Sequence, residues 1–176
     1  DLHSFPTRRS SDLRLEMSAE QIVRQMQDMY DLPNERRKMC VLTGGEPGLQ
    51  VDKALIEALH AAGFYICIET NGTRSLPDGI DWITCSPKEG TKLALMQVNE
   101  VKVVFTGTYD PEIWRSQLEA EHWMLQPLRY TGEWLIENVD SWEDDRNDNL
   151  DDTVRYILSH PFWRLSVQLH KIAGLR

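Results

Sequence analysis

Thr43-Gly44-Gly45-Glu46-Pro47 is the segment of the sequence best built for chemistry. It follows a short apolar run ending at Leu42, so it stands at the tip of an expected strand. Consecutive glycines at such a tip reach backbone angles closed to other residues and can turn their N–H groups toward a ligand. Glu46 supplies a fixed negative charge beside them, and Pro47 stiffens the turn. A carboxylate next to exposed backbone donors and acceptors suits a zwitterionic amino-acid head. Four more polar segments end apolar runs in the same way: Glu69 to Thr73, Ser86-Pro87-Lys88, Gln126-Pro127-Leu128 and Gln168 to Lys171. Within the last of these, His170 offers ring nitrogens that donate or accept a hydrogen bond.

Two other groups of residues carry less. Cys40, Cys67 and Cys85 are widely spaced, and each falls inside an apolar, strand-like run, which predicts buried free thiols rather than a zinc or cluster motif. The stretch Asp140 to Asp152 holds seven carboxylates and one arginine, but it lacks the central glycine of a calcium-binding loop. It reads as a solvated connection in which Asp151 or Asp152 caps the next helix.

The elements that must position these tips follow from periodicity. Ser18 caps an expected helix with Ile22, Met26 and Met29 on one face, and Asp52 caps another with Leu55, Ile56, Leu59 and Ala62 on one face and Gly63 at its stop. Phe64, Ile66 and Ile68 alternate against Tyr65, Cys67 and Glu69, the pattern of a strand that ends in an Asn71-Gly72 turn. DWITCSPK, EVKVVF, HWMLQPL and RLSVQLHK are further β-rich runs; PEIWRSQLEA and DDTVRYILSH suit helices. Strands alternating with helices predict an α/β fold with a largely parallel sheet and helices on its outer face. In such folds ligands meet the carboxyl ends of the strands, where all five polar segments fall.

Composition sets outer bounds. The 176 residues, 41% of them hydrophobic, suffice for one core, and the formal charge of −9 with no basic run argues against a nucleic-acid partner. No apolar stretch is long enough to cross a bilayer and no secretory signal is evident, so a soluble cytoplasmic protein is expected. His3 to Leu13 (HSFPTRRSSDL) has neither helical nor strand periodicity. Its back-translation resembles a sequencing-library adapter, so residues 1–13 are expected to be non-native and 14–176 to be a truncated core domain.

LTGGEP, IETNGT, CSPK, LQP and RLSVQLHK, in this order and at these separations, resemble the motif series of the 7-carboxy-7-deazaguanine synthase family of radical S-adenosylmethionine (SAM) enzymes. The similarity runs from about Met39 to the C-terminus, and the ending WRLSVQLHKIAGLR is its most diagnostic part. The resemblance implies a partial (β/α)6 barrel of the radical SAM type, here without its first strand and its cluster loop. It implies that Gly44, Gly45 and Glu46 hold the methionine group of SAM. Ser86, Pro87, Lys88, Gln126, Pro127, Leu128 and Arg129 would also contact SAM, and Glu69 and Asn71 would support its ribose. Thr43, Gln168, His170 and Arg176 would face a pterin substrate.

The resemblance further implies a [4Fe–4S] cluster on a CxxxCxxC-type loop, a magnesium ion on a nearby threonine, and a homodimer. The sequence contains no such cysteine loop, so the chain as written is expected not to cleave SAM. For the intact protein the family implies ring contraction of 6-carboxy-5,6,7,8-tetrahydropterin to 7-carboxy-7-deazaguanine with loss of ammonia, a step toward queuosine. Two other readings stay open: an activase of glycyl-radical enzymes, which shares GGEP, and a SAM- or nucleotide-binding module that naturally lacks a cluster.

Overall fold

The computed structural model describes residues 16–29, 38–128 and 144–168. Six parallel strands form one sheet in the consecutive order β1 to β6: Lys38–Leu42, Phe64–Thr70, Trp82–Cys85, Gln97–Phe105, Glu119–Pro127 and Arg164–Leu165. Crossovers of one hand between strands laid down in order all fall on one face, which leaves the other face open as the inside of a partial barrel. A doubly wound sheet would instead reverse its strand order.

The covered face is the apolar one. Cys40, Phe64 and Ile66 pack with Ile56 and Leu59 of α2 (Lys53–Ala61) and with Val23 of α1 (Ala19–Met29). Val101, Val103, Phe105, Trp123 and Leu125 pack with Trp114, Trp163 and, from α3 (Asp144–Ser159), with Tyr156 and Ile157. Fully burying an Ile or Leu side chain of this kind contributes roughly 1.5–3 kcal/mol, so these two clusters hold the crossovers against the sheet. Both expected N-caps form. Ser18 and Gln21 bond each other's backbone N–H groups at 3.3 and 2.8 Å, and Asp52 Oδ1 accepts from Leu55 N at 2.8 Å.

Four expectations need correction. The acidic stretch is helical from Asp144 onward, so Asp151 and Asp152 lie inside α3 rather than capping it; carboxylates near a helix start complement its dipole, and Asp152 pairs with Arg155 at 3.1 Å. PEIWRSQLEA does not form an α-helix throughout. It makes a 3₁₀ turn over Pro111–Ser116, and Leu118 and Glu119 then lead into β5 because Trp114 and Leu118 are both needed in the core. On α1 it is Val23 that is buried, whereas Met29 is 77% exposed. Finally, the β2–β3 and β3–β4 crossovers carry no helix: the second instead packs Leu93 and Leu95 onto the core and bonds the first through Ala94 N to Gly72 O at 2.8 Å.

The three cysteines lie in β1, β2 and β3 as free thiols, with Cys40 and Cys85 buried. Among the described residues no helix is long and apolar enough to cross a membrane.

Candidate functional site

Three of the polar tips are bonded directly to one another. Gly44 and Gly45 have φ of +90° and +57°, with open space where a Cβ would stand, so the turn after β1 presents bare backbone. Glu46 then folds back. Its Oε1 accepts from Thr70 Oγ1 at 2.6 Å and from Gly48 N at 2.9 Å, and its Oε2 accepts from Asn71 N at 2.8 Å. The carboxylate therefore rivets the first tip to the second, with the charge the sequence assigned to a ligand largely used inside the protein.

The second tip is shaped by its own side chains. Asn71 Oδ1 accepts from Thr73 N at 2.9 Å and from Thr73 Oγ1 at 2.7 Å, an Asx turn. Gly72, at φ +77°, lies so close to β3 that an added Cβ would stand 2.6 Å from Cys85 Sγ. Ser86 N donates to Thr70 O at 2.7 Å, which brings the third tip alongside, and Lys88 Nζ donates to Ser86 Oγ at 3.3 Å. Burial, and secondarily the charge of Glu46, pushes the Cys85 thiol up to about 12, with Lys88 opposing. In the absence of a metal that thiol stays protonated at neutral pH.

Below the tips, strand alternation and register place Tyr65, Cys67, Glu69, Trp82, Thr84, Glu100, Lys102, His122, Met124, Gln126 and Arg164 on the open face. Lys102 Nζ meets Glu69 Oε1 at 3.0 Å, and Thr43 Oγ1 lies 3.5 Å from Glu69 Oε2. Trp82 stacks on His122 with ring centroids 5.5 Å apart, and its Nε1 donates to Thr84 Oγ1 at 3.1 Å. The result is a polar face with a half-buried aromatic floor. Such a surface can hold a hydroxyl-rich, partly aromatic ligand.

Gln126, Pro127 and Leu128 end β5 beside the end of β4, where Leu128 N donates to Phe105 O at 3.1 Å. Gln168 closes the described residues two positions after Ser166, whose N donates to Leu125 O at 2.8 Å. Arg129, His170 and Arg176 lie outside the described residues. Sequence reasoning passed over Lys102, Trp82 and His122. A single lysine inside the apolar run of β4 was the available signal for the first.

A hollow of about 350 Å³ lies at the opposite end of the sheet, lined by residues that include Met96, Arg115 and Glu119. Its polar groups are engaged within the protein: Gln97 Nε2 bonds Glu119 Oε2 at 2.9 Å and Arg115 pairs with Glu112 at 2.9 Å. The strand-tip face, with its open backbone at Gly44 and Gly45, is the better site.

Comparison with known proteins gives an independent line. No protein-family model matches the chain. A 7-carboxy-7-deazaguanine synthase from Bacteroides thetaiotaomicron is 48% identical over 136 residues, covering 77% of this chain and 64% of that protein. The same-named proteins of Bradyrhizobium diazoefficiens and Nitratidesulfovibrio vulgaris are 46% and 43% identical over 140 residues, 79% of this chain and 60% of each relative. The chain thus spans somewhat under two thirds of the length of these curated relatives. The crystal structure of QueE from Escherichia coli matches with a TM-score of 0.63 at 24% identity, covering 86% of this chain and 64% of that one, a likeness of fold. Over the part it shares with them, the chain is similar in sequence to proteins named 7-carboxy-7-deazaguanine synthase, and it is similar in fold to QueE.

Proposed function

We propose that the chain forms the SAM- and pterin-facing part of a 7-carboxy-7-deazaguanine synthase, a radical SAM lyase. The observation that carries this reading is the convergence of the Gly44-Gly45 turn, the Asn71 turn and the Ser86-Pro87-Lys88 tip, bonded to one another through Glu46 and Thr70, in a chain 48% identical to a protein of that name. The reaction would be ring contraction of 6-carboxy-5,6,7,8-tetrahydropterin to 7-carboxy-7-deazaguanine with loss of ammonia.

The open backbone at Gly44 and Gly45 fits the amino-acid end of SAM, whose ammonium and carboxylate need an acceptor and a donor that backbone C=O and N–H groups provide. Ser86 and Lys88 after β3 and Gln126 at the end of β5 add side-chain donors at the same edge of the sheet. Bound SAM would supply the hydrogen-abstracting chemistry. The protein's share is placement: strand tips rigidly joined by short hydrogen bonds hold two ligands in a fixed relation and displace water between them. Thr43, His170 and Arg176 are the proposed pterin-facing residues.

A [4Fe–4S] cluster does not fit the cysteines of this chain. Cys40 and Cys85 are buried, burial holds both thiols up in their protonated form, and no group of three His, Cys, Asp or Glu residues suited to a metal occurs among the described residues. A cluster would need thiolate ligands from elsewhere, and the chain by itself is proposed not to cleave SAM. A homodimer and a cytoplasmic setting are proposed with the family.

A chimera tests the reading. Residues 38–176 would replace the matching part of the Bacteroides thetaiotaomicron relative, and 7-carboxy-7-deazaguanine would be measured from 6-carboxy-5,6,7,8-tetrahydropterin and SAM. Product formation is expected. A folded, cluster-loaded chimera that makes none contradicts the proposal.

A further inference from the structure

Lys102 and Glu69 stand on strands that are not neighbours. β2 and β4 flank β3, so their 3.0 Å ion pair crosses the open face over the register position of Thr84, which is only 6% exposed although it points to that face. The Lys102 side chain is 23% exposed and its ammonium is committed to one carboxylate oxygen, Oε1. Glu69 is more open, at 46%, and among the described residues its other oxygen meets the Thr43 hydroxyl alone, at the outer limit of a hydrogen bond, 3.5 Å. A carboxylate with one oxygen pinned and the other under-used, at the rim of a face that ends in ligand-binding tips, is set to accept from a hydroxyl of a bound molecule.

We infer that Lys102 is a positioning residue: by fixing Oε1 it aims Glu69 Oε2 at a ribose hydroxyl of the nucleoside bound at the strand tips. The inference rests on the SAM reading of the site, but it concerns a residue that neither the motif series nor the tip geometry assigns. Without the ammonium, Glu69 is free to swing into solvent, and the loss should appear in recognition of the sugar hydroxyls rather than in the fold. A merely structural bridge would weaken every ligand alike.

The test uses the 176-residue chain and two probes, S-adenosylhomocysteine and the same compound lacking both ribose hydroxyls, with dissociation constants from calorimetry and a thermal midpoint for each variant. The unsubstituted chain should prefer the hydroxylated probe by about tenfold, the value of a hydrogen bond to a charged group. Lys102→Met should bring that ratio close to one while leaving the affinity for the dideoxy probe unchanged, and Lys102→Arg should restore most of the preference. Lys102→Gln, which keeps a polar head of similar reach, provides the same comparison should the methionine variant fold poorly. A preference that survives in Lys102→Met or Lys102→Gln overturns the inference, as does an equal loss for both probes that arginine does not rescue. Absence of S-adenosylhomocysteine binding by the unsubstituted chain overturns the SAM reading and this inference together.

Discussion

Glu46 Oε1 and the Thr70 hydroxyl meet at 2.6 Å, joining the turn after β1 to the last residue of β2 across a sequence separation of 24. Thr70 is 3% exposed, and the same carboxylate also satisfies the N–H groups of Gly48 and Asn71. Glu46→Ala would leave three donors without their acceptor, at a cost of about 1–3 kcal/mol for the most buried of them. Urea unfolding of the chain should show a loss in that range, with Glu46→Gln recovering part of it. An unchanged midpoint would mean that the carboxylate is not the rivet it is drawn to be.

Gly72 and Cys85 make a second point of closure. Gly72→Ala combines a left-handed backbone, about 1–2 kcal/mol of strain, with a Cβ 2.6 Å from Cys85 Sγ and 3.1 Å from Leu93 Cδ2. Gly107→Ala, at φ +74° with open space around it, carries the strain alone. Equilibrium unfolding should therefore rank Gly72→Ala below Gly107→Ala by about 1–3 kcal/mol, the usual cost of overpacking. Equal losses would show that β3 yields at no cost.

Alkaline pH should weaken the fold through Cys85 and Tyr156. The Cys85 thiol is pushed up from an ordinary 9.0 to about 12 by burial, and the Tyr156 hydroxyl is raised from an ordinary 10.0 by burial and by donating to Asp110. Between the unfolded and folded values the unfolded chain binds fewer protons than the folded one, so stability falls as pH rises. Full stability is expected below about pH 9, with progressive loss toward pH 12. Thermal midpoints measured from pH 7 to 11 should decline above pH 9, and more gently in Cys85→Ala relative to that variant's own neutral value.

Acid acts on the Asp110–Tyr156 contact. The 2.6 Å bond from the Tyr156 hydroxyl, with a second from Glu112 N, holds the Asp110 carboxyl below its ordinary 3.8 and ties the segment after β4 to α3. A depressed carboxyl stabilises above its unfolded value and loses that contribution as pH falls through its folded one. Tyr156→Phe should cost about 1 kcal/mol at pH 7, and the difference from the unsubstituted chain should shrink below about pH 4. A gap that persists undiminished at pH 3 would contradict a role for the Asp110 charge, since phenylalanine keeps the ring contacts with Phe105 and His160.

Four of the strand tips were legible in the sequence because each sets a Gly, Pro or Asn at the end of a short apolar run, whereas Gln168 to Lys171 carries none of these. The alternation of Phe64, Ile66 and Ile68 against Tyr65, Cys67 and Glu69 likewise gave the two faces of β2. The meaning of the outward set was not legible. A lysine at position 102 reads as a solvated residue until the consecutive strand order shows that its face is the inside of a partial barrel, two strands from Glu69. The start of α3 was hidden because the residues before Leu150 carry charge without apolar periodicity. The turn at Pro111 looked like a longer helix because Trp114 and Leu118 share helical spacing, although the second of them already leads into a strand.

The central claim is that successive strand tips build one nucleoside pocket, and amide shift mapping of the isotopically labelled chain during titration with SAM tests it most directly. Shifts should concentrate at Gly44, Gly45, Asn71, Ser86 and Gln126. Shifts confined to the hollow around Met96 and Arg115, or no shifts at saturating ligand, would contradict it.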